Sequence, residues 1–431
     1  MTSSTPYKVI AFVPGTTASI LSDSDGEEVW PRLLDPSLSD VEKLLLANKV
    51  KSATPLSVDG IVLDYPNPAQ ASSTLPCYQS LVTYFEATLK LQSFAYTTSV
   101  DQNSTNTLVP TGNLFFQVPY DWRQSNWSSA AWLNRALNYL DAAFNALNPN
   151  PGYELYLVAH SMGGLVSRYL LENSTVLPST NANYVKPGAW LTNAQSVTLI
   201  TLSTPHLGAP LALAPMLGLD LLPNEKNSVI DFLQGVVNDT NTPSTYQLLP
   251  PPASSGVSGL DFVFDGSGNA YDLYTNYTAQ PGKNFMKTLG SMGLNSTNLT
   301  TAQTFFSGLS YTAPGGSVTY HCFGGTGLPT RANPSPQSSP ASGPYLFTPA
   351  KHPDLFAGAI TEQPQTGDGD GVVPTSSSQF VFSNSSPYWR AFPNYNHGQM
   401  GGSDMTDHPD AINAMLSVVG ITATNPAPVP A

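Results

Sequence analysis

Ser161 stands in a sequence pattern that is typical of a catalytic nucleophile. The segment Leu155–Ala159 is a continuous apolar run, followed by His-Ser-Met-Gly-Gly and then by apolar residues at helical spacing from Leu165. A strand, a sharp turn and a helix in this order can expose a serine hydroxyl at the tip of the turn. Gly163, and Ala159 where glycine is commoner, are small enough to let the strand and the helix pack closely. The pattern predicts nucleophilic attack by the Ser161 hydroxyl.

A serine hydroxyl needs a base, and His397 has the position in the chain that this base requires. Around such a turn the order along the chain is serine, then acid, then histidine. His397 follows the last predicted strand, Tyr388–Phe392, and precedes the predicted final helix, Asp410–Val419. His408 lies in Asp-His-Pro at the start of that helix and is the alternative base.

The other histidines downstream of the nucleophile are less suitable as the base. His206 follows the next strand and comes too early in the chain, and His321 lies within a predicted strand. His352 lies in a Pro-rich stretch with no acid in a suitable place before it. The sequence therefore favours His397.

The acid that orients the base is expected after the strand before last, and two aspartates occur there. They are Asp368 and Asp370, in the segment Gly367–Pro374 with the sequence GDGDGVVP. One carboxylate would hold the imidazole ring and stabilise its protonated form. A Ca²⁺ loop is disfavoured because the EF-hand ligand spacing with its terminal Glu is missing. Asp370 is favoured because it directly precedes the Gly-Val-Val-Pro run, and Asp368 is the alternative.

Two backbone N–H groups are expected to stabilise the negative charge that develops on a substrate oxygen. One belongs to Met162, the residue after the nucleophile, at the amino end of a helix. The other is expected in the loop after the first strand, which has the sequence Val-Pro-Gly-Thr-Thr. We predict that Thr16 supplies it, with Thr17 as the alternative. This chemistry requires neither a metal nor an organic cofactor.

Strands alternate with helices through the first half of the chain, which predicts an α/β fold with a mostly parallel central sheet. Continuous apolar runs typical of strands buried on both faces occur at several places. Strands are predicted at Lys8–Val13, Asn113–Val118, Leu155–Ala159, Ser196–Leu202, Val318–Phe323, Gln379–Phe382 and Tyr388–Phe392. Helices are predicted at Tyr78–Leu91, Ala130–Leu147, Leu165–Glu172 and Asp410–Val419.

The alternation stops near residue 207, and the stretch that follows is rich in Pro, Gly, Asn and Ser. It is too long for a plain loop, so we expect an inserted cap or lid subdomain in 207–316. The core would then consist of 1–206 and 317–424, with a flexible tail in 425–431. The apolar segment Pro210–Pro223 either faces the substrate and the lipid surface or is an ordinary buried cap helix.

The composition excludes some classes of function. The 431-residue chain has a formal net charge of −13 and no run of Lys or Arg, which argues against nucleic-acid binding. Only 10% of the residues are charged, a composition that suits an extracellular or envelope protein. No apolar run has the length of a transmembrane segment. The first residues lack the pattern of a signal peptide, so the chain is either not exported by that route or begins after a removed signal.

The two cysteines, Cys77 and Cys322, lack the spacing of a metal site. We expect two buried thiols, with one long-range disulfide as the alternative. The pair Asp121 and Arg123 follows a strand end, and we expect it to have a structural role.

Several separated motifs, in this order along the chain, are similar to those of lecithin:cholesterol acyltransferase-like proteins. They are Phe12–Ser19 (FVPGTTAS), Val29–Pro31 (VWP), Pro119–Arg123 (PYDWR), Ala159–Gly163 (AHSMG), Thr204–Pro210 (TPHLGAP), Phe323–Thr330 (FGGTGLPT), Gly367–Pro374 and His397 with Met400. The resemblance implies an α/β-hydrolase fold with a cap and a lid, and a serine acyl-enzyme mechanism on a lipid ester at a membrane or lipid–water interface. It also favours Asp370 over Asp368.

The chain departs from this family at its cysteines. The early cysteine pair that closes the lid of the animal enzymes has no counterpart, because Cys77 is the only cysteine in that half of the chain. Lid architecture and lipoprotein activation are therefore not implied. Two alternatives to a lipid-ester hydrolase remain: an acyltransferase with the same catalytic residues, and a non-catalytic relative that binds a ligand.

Overall fold

The computed structural model describes residues 5–67, 70, 72–103, 107–216, 235–257, 273–274, 294–312, 317–331, 366–398 and 405–422. Much of the expected cap or lid subdomain in 207–316, and part of the expected second core segment 317–424, lie outside these ranges. Four further predicted features also lie wholly or partly outside them. They are His352, Met400, the second half of the segment Pro210–Pro223, and the tail 425–431.

The strands are numbered in chain order. They are β1 (Tyr7–Val13), β2 (Ser19–Ser22), β3 (Glu28–Trp30), β4 (Ser57–Ile61), β5 (Asp64–Pro66), β6 (Thr74–Pro76), β7 (Gln92–Ala95), β8 (Leu114–Gln117), β9 (Tyr153–His160), β10 (Val197–Leu202), β11 (Val318–Thr326), β12 (Leu328–Arg331), β13 (Thr366–Gly369) and β14 (Trp389–Pro393).

The α-helices of the described residues are α1 (Asp40–Lys51), α2 (Gln79–Thr83), α3 (Thr98–Gln102), α4 (Asn126–Asn145), α5 (Met162–Val176), α6 (Trp190–Asn193), α7 (Leu213–Met216), α8 (Ser296–Phe306), α9 (Thr375–Ser378) and α10 (Pro409–Val419). A π-helical turn, Tyr84–Thr88, continues α2. Short 3₁₀ turns occur at Arg32–Leu34, Pro210–Ala212, Pro243–Leu248 and Ala253–Ser255.

The centre of the described structure is a seven-stranded sheet in the order β14-β11-β10-β9-β1-β8-β7. Every neighbouring pair in it is parallel. Residues 9–13 of β1 and 157–159 of β9 are completely buried, as expected where helices cover both faces of a parallel sheet. This explains the continuous apolar runs in the sequence. The predicted fold class, an α/β-hydrolase fold with a mostly parallel sheet, is confirmed.

The strand order places a crevice at the carboxyl end of β1. The consecutive strands β8 and β9 lie on opposite sides of β1. The chain therefore fills one side of the sheet with β7 and β8 and then crosses β1 to add β9 on the other side. In open α/β sheets, ligands bind outside the carboxyl ends of the strands at such a switch point. The loops that follow β1, β9, β11 and β14 therefore define the region where a functional site is expected.

Helices α4 and α5 pack against each other beside this central part of the sheet. In α4 the buried apolar residues recur at helical spacing, which is the periodicity that predicted this helix. The helix runs from Asn126 to Asn145, whereas the sequence predicted Ala130–Leu147. The predicted nucleophile helix, Leu165–Glu172, begins earlier and covers Met162–Val176.

The prediction of a short strand at Gln379–Phe382 is wrong. These residues form a turn after α9, and Phe380 has the left-handed φ of 59° that reverses the chain. The Phe380 ring stacks on the imidazole of His206, with 4.8 Å between the ring centroids. Phe380 and the partly buried Phe382 therefore pack onto the core from a turn, although the spacing of these residues resembles that of a strand.

The two cysteines are free thiols and both are buried, as predicted from the sequence. Burial raises the pKa of the Cys322 thiol to about 12, so it stays protonated and unreactive. Asp121 and Arg123 form an ion pair, and the Arg123 guanidinium also donates to the backbone oxygens of Val50 and Ser52. These contacts join the loop after β8 to the end of α1.

A buried ion pair within α5 holds the loop after β10. Arg168 is completely buried and its guanidinium donates to both carboxylate oxygens of Glu172, at 2.8 and 3.0 Å. It also donates to the backbone oxygens of His206 and Ser310. His206 is itself buried and hydrogen-bonded to Thr201. This histidine therefore lies in a structural network.

Replacing Glu172 by glutamine should strongly destabilise the fold. The Arg168 charge would stay buried without its counter-ion, which costs about 3–5 kcal/mol of unfolding free energy. Urea unfolding followed by circular dichroism would measure the loss. Glu154→Gln is the matched control, because its partly exposed pair with Lys8 should contribute at most about 1 kcal/mol. Equal losses in the two variants would contradict this account.

Candidate active site

Ser161 lies at a strained turn between β9 and α5. Its backbone has φ 51° and ψ −126°, a conformation that L-residues rarely adopt. The Ser161 N–H donates to the Leu202 carbonyl at 2.9 Å, which ties the turn to the end of β10. The residue is 5% exposed. The strain is retained because the sheet and the helix fix both ends of the turn.

The close packing of the turn depends on the small residue at 163. A Cβ on Gly163 would lie 2.4 Å from the Val13 oxygen and 2.5 Å from the Pro14 oxygen. Backbone atoms cannot give way by that amount, so α5 can begin directly against the end of β1 only with glycine here. The first turn of α5 thus directs its N–H groups at the crevice beside β1.

His397 lies between Ser161 and Asp370 and is hydrogen-bonded to both. Its Nε2 is 2.8 Å from the Ser161 Oγ, and its Nδ1 is 2.9 Å from the Asp370 Oδ2. A carboxylate only accepts, so Nδ1 carries the proton and Nε2 accepts from the serine hydroxyl. The three residues come from the loops after β9, β13 and β14. The structure therefore brings these three predicted site residues together.

Asp370 is almost completely buried, and its two carboxylate oxygens have different partners. Oδ1 accepts the N–H groups of Val372 and Val373, at 2.9 and 2.7 Å, while Oδ2 faces His397. The His397 N–H also donates to the Asp370 backbone oxygen, at 3.0 Å. The acid is thus fixed by its own turn and aligned with the ring.

Burial by itself would raise the pKa of the Asp370 carboxyl. The neighbouring His397 and the hydrogen bonds from His397, Val373 and Val372 outweigh burial and hold this pKa below its ordinary value. The carboxylate is therefore ionised at neutral pH. Because the pKa is lowered, the stability it contributes is present above the unfolded-state pKa and is lost as the pH falls through the folded-state value.

The two alternatives, Asp368 and His408, have structural partners. Asp368 accepts hydrogen bonds from the Gly327 N–H and, at 2.9 Å, from the Thr375 hydroxyl, which join β13 to neighbouring turns. His408 is the N-cap of α10, and its ring is hydrogen-bonded to Tyr395. His321 is half-buried on β11 with its ring against Tyr388.

The loop after β1 passes directly over Ser161. A Cβ on Gly15 would lie 3.1 Å from the Ser161 Cβ and 3.1 Å from the His160 Nδ1. Thr16 therefore follows a residue in contact with the serine, and Met162 begins α5 beside it. Thr17, with φ 60°, turns the chain away, and its carbonyl accepts the Trp30 indole N–H.

Two buried residues near the serine were not singled out by the sequence analysis. His160 precedes the nucleophile and has hydrogen bonds at both ring nitrogens, to Tyr78 and to the His397 carbonyl. The AHSMG motif contains His160, but the motif was interpreted through its serine and its small residues. Tyr78 lies 82 residues away, and nothing in its local sequence connects it with the site.

Comparison with known proteins identifies the family. The family model for lecithin:cholesterol acyltransferase matches residues 77–295, just over half of the chain. The chain belongs to this family. The match includes Ser161, whereas Asp370 and His397 lie beyond it. A search of curated proteins found no match for this lecithin:cholesterol acyltransferase family member.

Among solved structures, the Tle4–Tli4 complex contains a similar chain with 15% identity and a TM-score of 0.52, and the match covers 99% of this chain and 100% of that one. At this identity the likeness concerns the fold. Lipase 1 from Pelosinus fermentans has 14% identity and a TM-score of 0.35, covering 97% of this chain and 100% of that one. Phospholipase PlaB from Legionella pneumophila has 13% identity and a TM-score of 0.26, covering 97% and 59%.

Two features are absent from the residues that the structure describes. Within them, no helix is long and apolar enough to cross a membrane. Within the same residues, His, Cys, Asp and Glu side chains form no cluster that could hold a metal ion.

Replacing Asp370 by asparagine should reduce ester cleavage by a factor on the order of 10⁴. An amide nitrogen facing His397 would favour the tautomer with its proton on Nε2, which cannot accept the Ser161 proton. Steady-state hydrolysis of a short-chain chromogenic ester would measure the loss. Asp368→Asn is the matched control and should keep activity near the parental level. A larger loss in the control than in Asp370→Asn would reverse the assignment of the acid.

Proposed function

We propose that this protein is a serine-dependent carboxylic ester hydrolase that acts on lipid esters. The observation that carries the proposal is the line of hydrogen bonds from Ser161 through His397 to Asp370, at 2.8 and 2.9 Å. This arrangement can activate a serine hydroxyl, and the three groups come from the loops where this fold holds its catalytic residues. Membership of the lecithin:cholesterol acyltransferase family supports a lipid substrate.

In the proposed acylation step, the His397 Nε2 takes the proton from the Ser161 hydroxyl as its Oγ attacks the ester carbonyl carbon. The carbonyl oxygen becomes an oxyanion, which the N–H groups of Met162 and Thr16 would stabilise. Asp370 stabilises the imidazolium. When the tetrahedral intermediate collapses, His397 gives its proton to the departing alcohol, and the acyl group stays on Ser161.

In the proposed second step, His397 takes a proton from water, whose oxygen attacks the acyl-enzyme. The same oxyanion donors act again, and collapse releases the fatty acid and returns the proton to the Ser161 Oγ. If an alcohol replaces water, the product is a new ester. The family name favours this transfer as the second candidate reaction.

The surface of α1 supports action at a lipid surface. Val41, Leu44 and Leu45 recur at helical spacing on one side of this helix and are 67%, 57% and 58% exposed. Exposed apolar side chains in one patch mark a surface that contacts another apolar phase.

A panel of lipid esters, tested on the parent protein and on Ser161→Ala, examines the proposal. The parent should release fatty acid from at least one phospholipid or acylglycerol, and the variant should lose that activity by a factor on the order of 10⁶, because the nucleophile is removed. Free fatty acid is quantified by mass spectrometry. Ser167→Ala is the control, because Ser167 lies on α5 and donates to the Gly163 carbonyl.

A fluorophosphonate probe tests the assignment of Ser161 as nucleophile independently of the ester that the protein prefers. Labelling of the parent but not of Ser161→Ala supports the nucleophile, whichever ester is preferred. Equal labelling of both proteins would overturn it, and an unlabelled, inactive parent would favour a non-catalytic binding role. Adding a sterol or a diacylglycerol and comparing new ester with free fatty acid distinguishes transfer from hydrolysis.

A further inference from the structure

The His160 imidazole is completely buried and has a hydrogen-bond partner at each ring nitrogen. Its Nε2 lies 2.7 Å from the His397 carbonyl oxygen, and its Nδ1 lies 2.8 Å from the Tyr78 hydroxyl. The Tyr78 hydroxyl in turn accepts the N–H of Gly15, at 2.9 Å. Neither His160 nor Tyr78 has a role in the reaction steps described above.

The partners determine which atoms carry the protons. A carbonyl oxygen only accepts, so the His160 Nε2 must donate to His397. A neutral imidazole has one N–H, so Nδ1 accepts, and its donor is the Tyr78 hydroxyl. The lone pairs of that hydroxyl are then available to accept from Gly15. The direction of all three hydrogen bonds is therefore fixed: Gly15 donates to Tyr78, Tyr78 donates to His160, and His160 donates to the His397 carbonyl oxygen.

The chain of hydrogen bonds connects three parts of the proposed site. Gly15 precedes Thr16 in the loop after β1, His160 precedes the nucleophile, and the His397 carbonyl belongs to the loop that carries the base. The two hydrogen bonds of His160 span 82 and 237 positions along the chain. Each of these loops is thus held relative to the same rigid point, the end of β9.

We propose that His160 and Tyr78 are positioning residues that hold the base and the Gly15–Thr16 turn in register with Ser161. This inference rests on the proposed function. Small displacements of a base or an oxyanion donor are costly in rate, because both must lie within hydrogen-bond reach of the reacting atoms. The pair contacts no substrate and acts through the main chain of its neighbours.

The neutral state of His160 suits this role. Burial, together with a smaller effect of the nearby His397, lowers the pKa of His160 to about 3, so the ring has no charge at physiological pH. The ring centroids of the two histidines are 5.1 Å apart. A charged His160 would repel the imidazolium that forms on His397 during the reaction. Burial also raises the pKa of Tyr78, which keeps its hydroxyl as a donor.

Tyr78→Phe tests this chain of hydrogen bonds with little change in the shape of the side chain. It keeps the ring that packs edge-on against Phe12, at 4.9 Å between centroids, and it removes the hydroxyl. We expect kcat to fall roughly tenfold with KM unchanged, which corresponds to about 1.4 kcal/mol of activation free energy. The loss arises because the Tyr78 hydroxyl is hydrogen-bonded to both Gly15 and His160. His160→Leu removes both hydrogen bonds, and kcat should fall further. His160→Gln offers an amide donor and an acceptor, and should recover most of the activity.

Tyr153→Phe is the matched control. Tyr153 is buried on the same strand, β9, at its opposite end, and its hydroxyl donates to Asp141 at 2.8 Å. The change therefore removes an equivalent buried hydrogen bond far from Ser161. It should lower thermal stability to a similar extent as Tyr78→Phe and leave kcat unchanged. Equal effects of the two variants on kcat would overturn the positioning role.

The rate constant of phosphonylation by a fluorophosphonate separates this inference from the proposed function, because it needs an activated Ser161 but no lipid. If the parent is not labelled at Ser161, the proposed function fails. If the parent is labelled and Tyr78→Phe reacts at the same rate, the positioning role fails alone. Nitrogen-15 NMR of the parent gives an independent check: the His160 signal should show a proton on Nε2 and stay constant from about pH 5 to pH 8. The opposite tautomer would contradict the chain of hydrogen bonds.

Discussion

The close approach of α5 to β1 is the constraint on which the rest of the site depends. The carbonyls of Val13 and Pro14 occupy the space that a side chain at Gly163 would need. With the helix packed so tightly, the chain between β9 and α5 can only turn through the unusual backbone of Ser161. That turn directs the serine into the crevice at the carboxyl end of β1 and directs the first N–H groups of α5 at the same point.

His397 and Asp370 reach this point from the other half of the sheet. Strand β11 is followed by the antiparallel pair of β12 and β13, and Asp370 is the residue directly after β13. Strand β14 pairs with β11 and delivers the loop of His397. The β12–β13 pair follows the carboxyl end of β11, and the His397 loop follows the carboxyl end of the neighbouring parallel strand β14, so residues far apart in sequence meet beside Ser161.

Buried charges are stabilised in different ways in the candidate site and on α5. In the site, the Asp370 carboxylate is stabilised by two N–H groups and by His397, while His160 is kept neutral. On α5, Arg168 is charged and fully buried, and Glu172 neutralises it. The arrangement around Asp370 leaves the His397 imidazole able to exchange a proton with Ser161. The pair of Arg168 and Glu172 joins α5 to the loop after β10 and has no group available for proton exchange.

The sequence by itself determined the features that depend on local pattern or chain order. A buried run, a turn and a helix pointed to Ser161 as the proposed nucleophile, and the order serine, acid, histidine pointed to Asp370 and His397 as its proposed partners. The tertiary structure alone decided which distant side chains meet. The contact of Tyr78 with His160, the turn at Phe380 and the partners of Arg168 all join segments whose spacing in the sequence has no periodic pattern. The physical reason is that backbone geometry follows from neighbouring residues, whereas hydrogen bonds between loops depend on how the whole sheet places those loops.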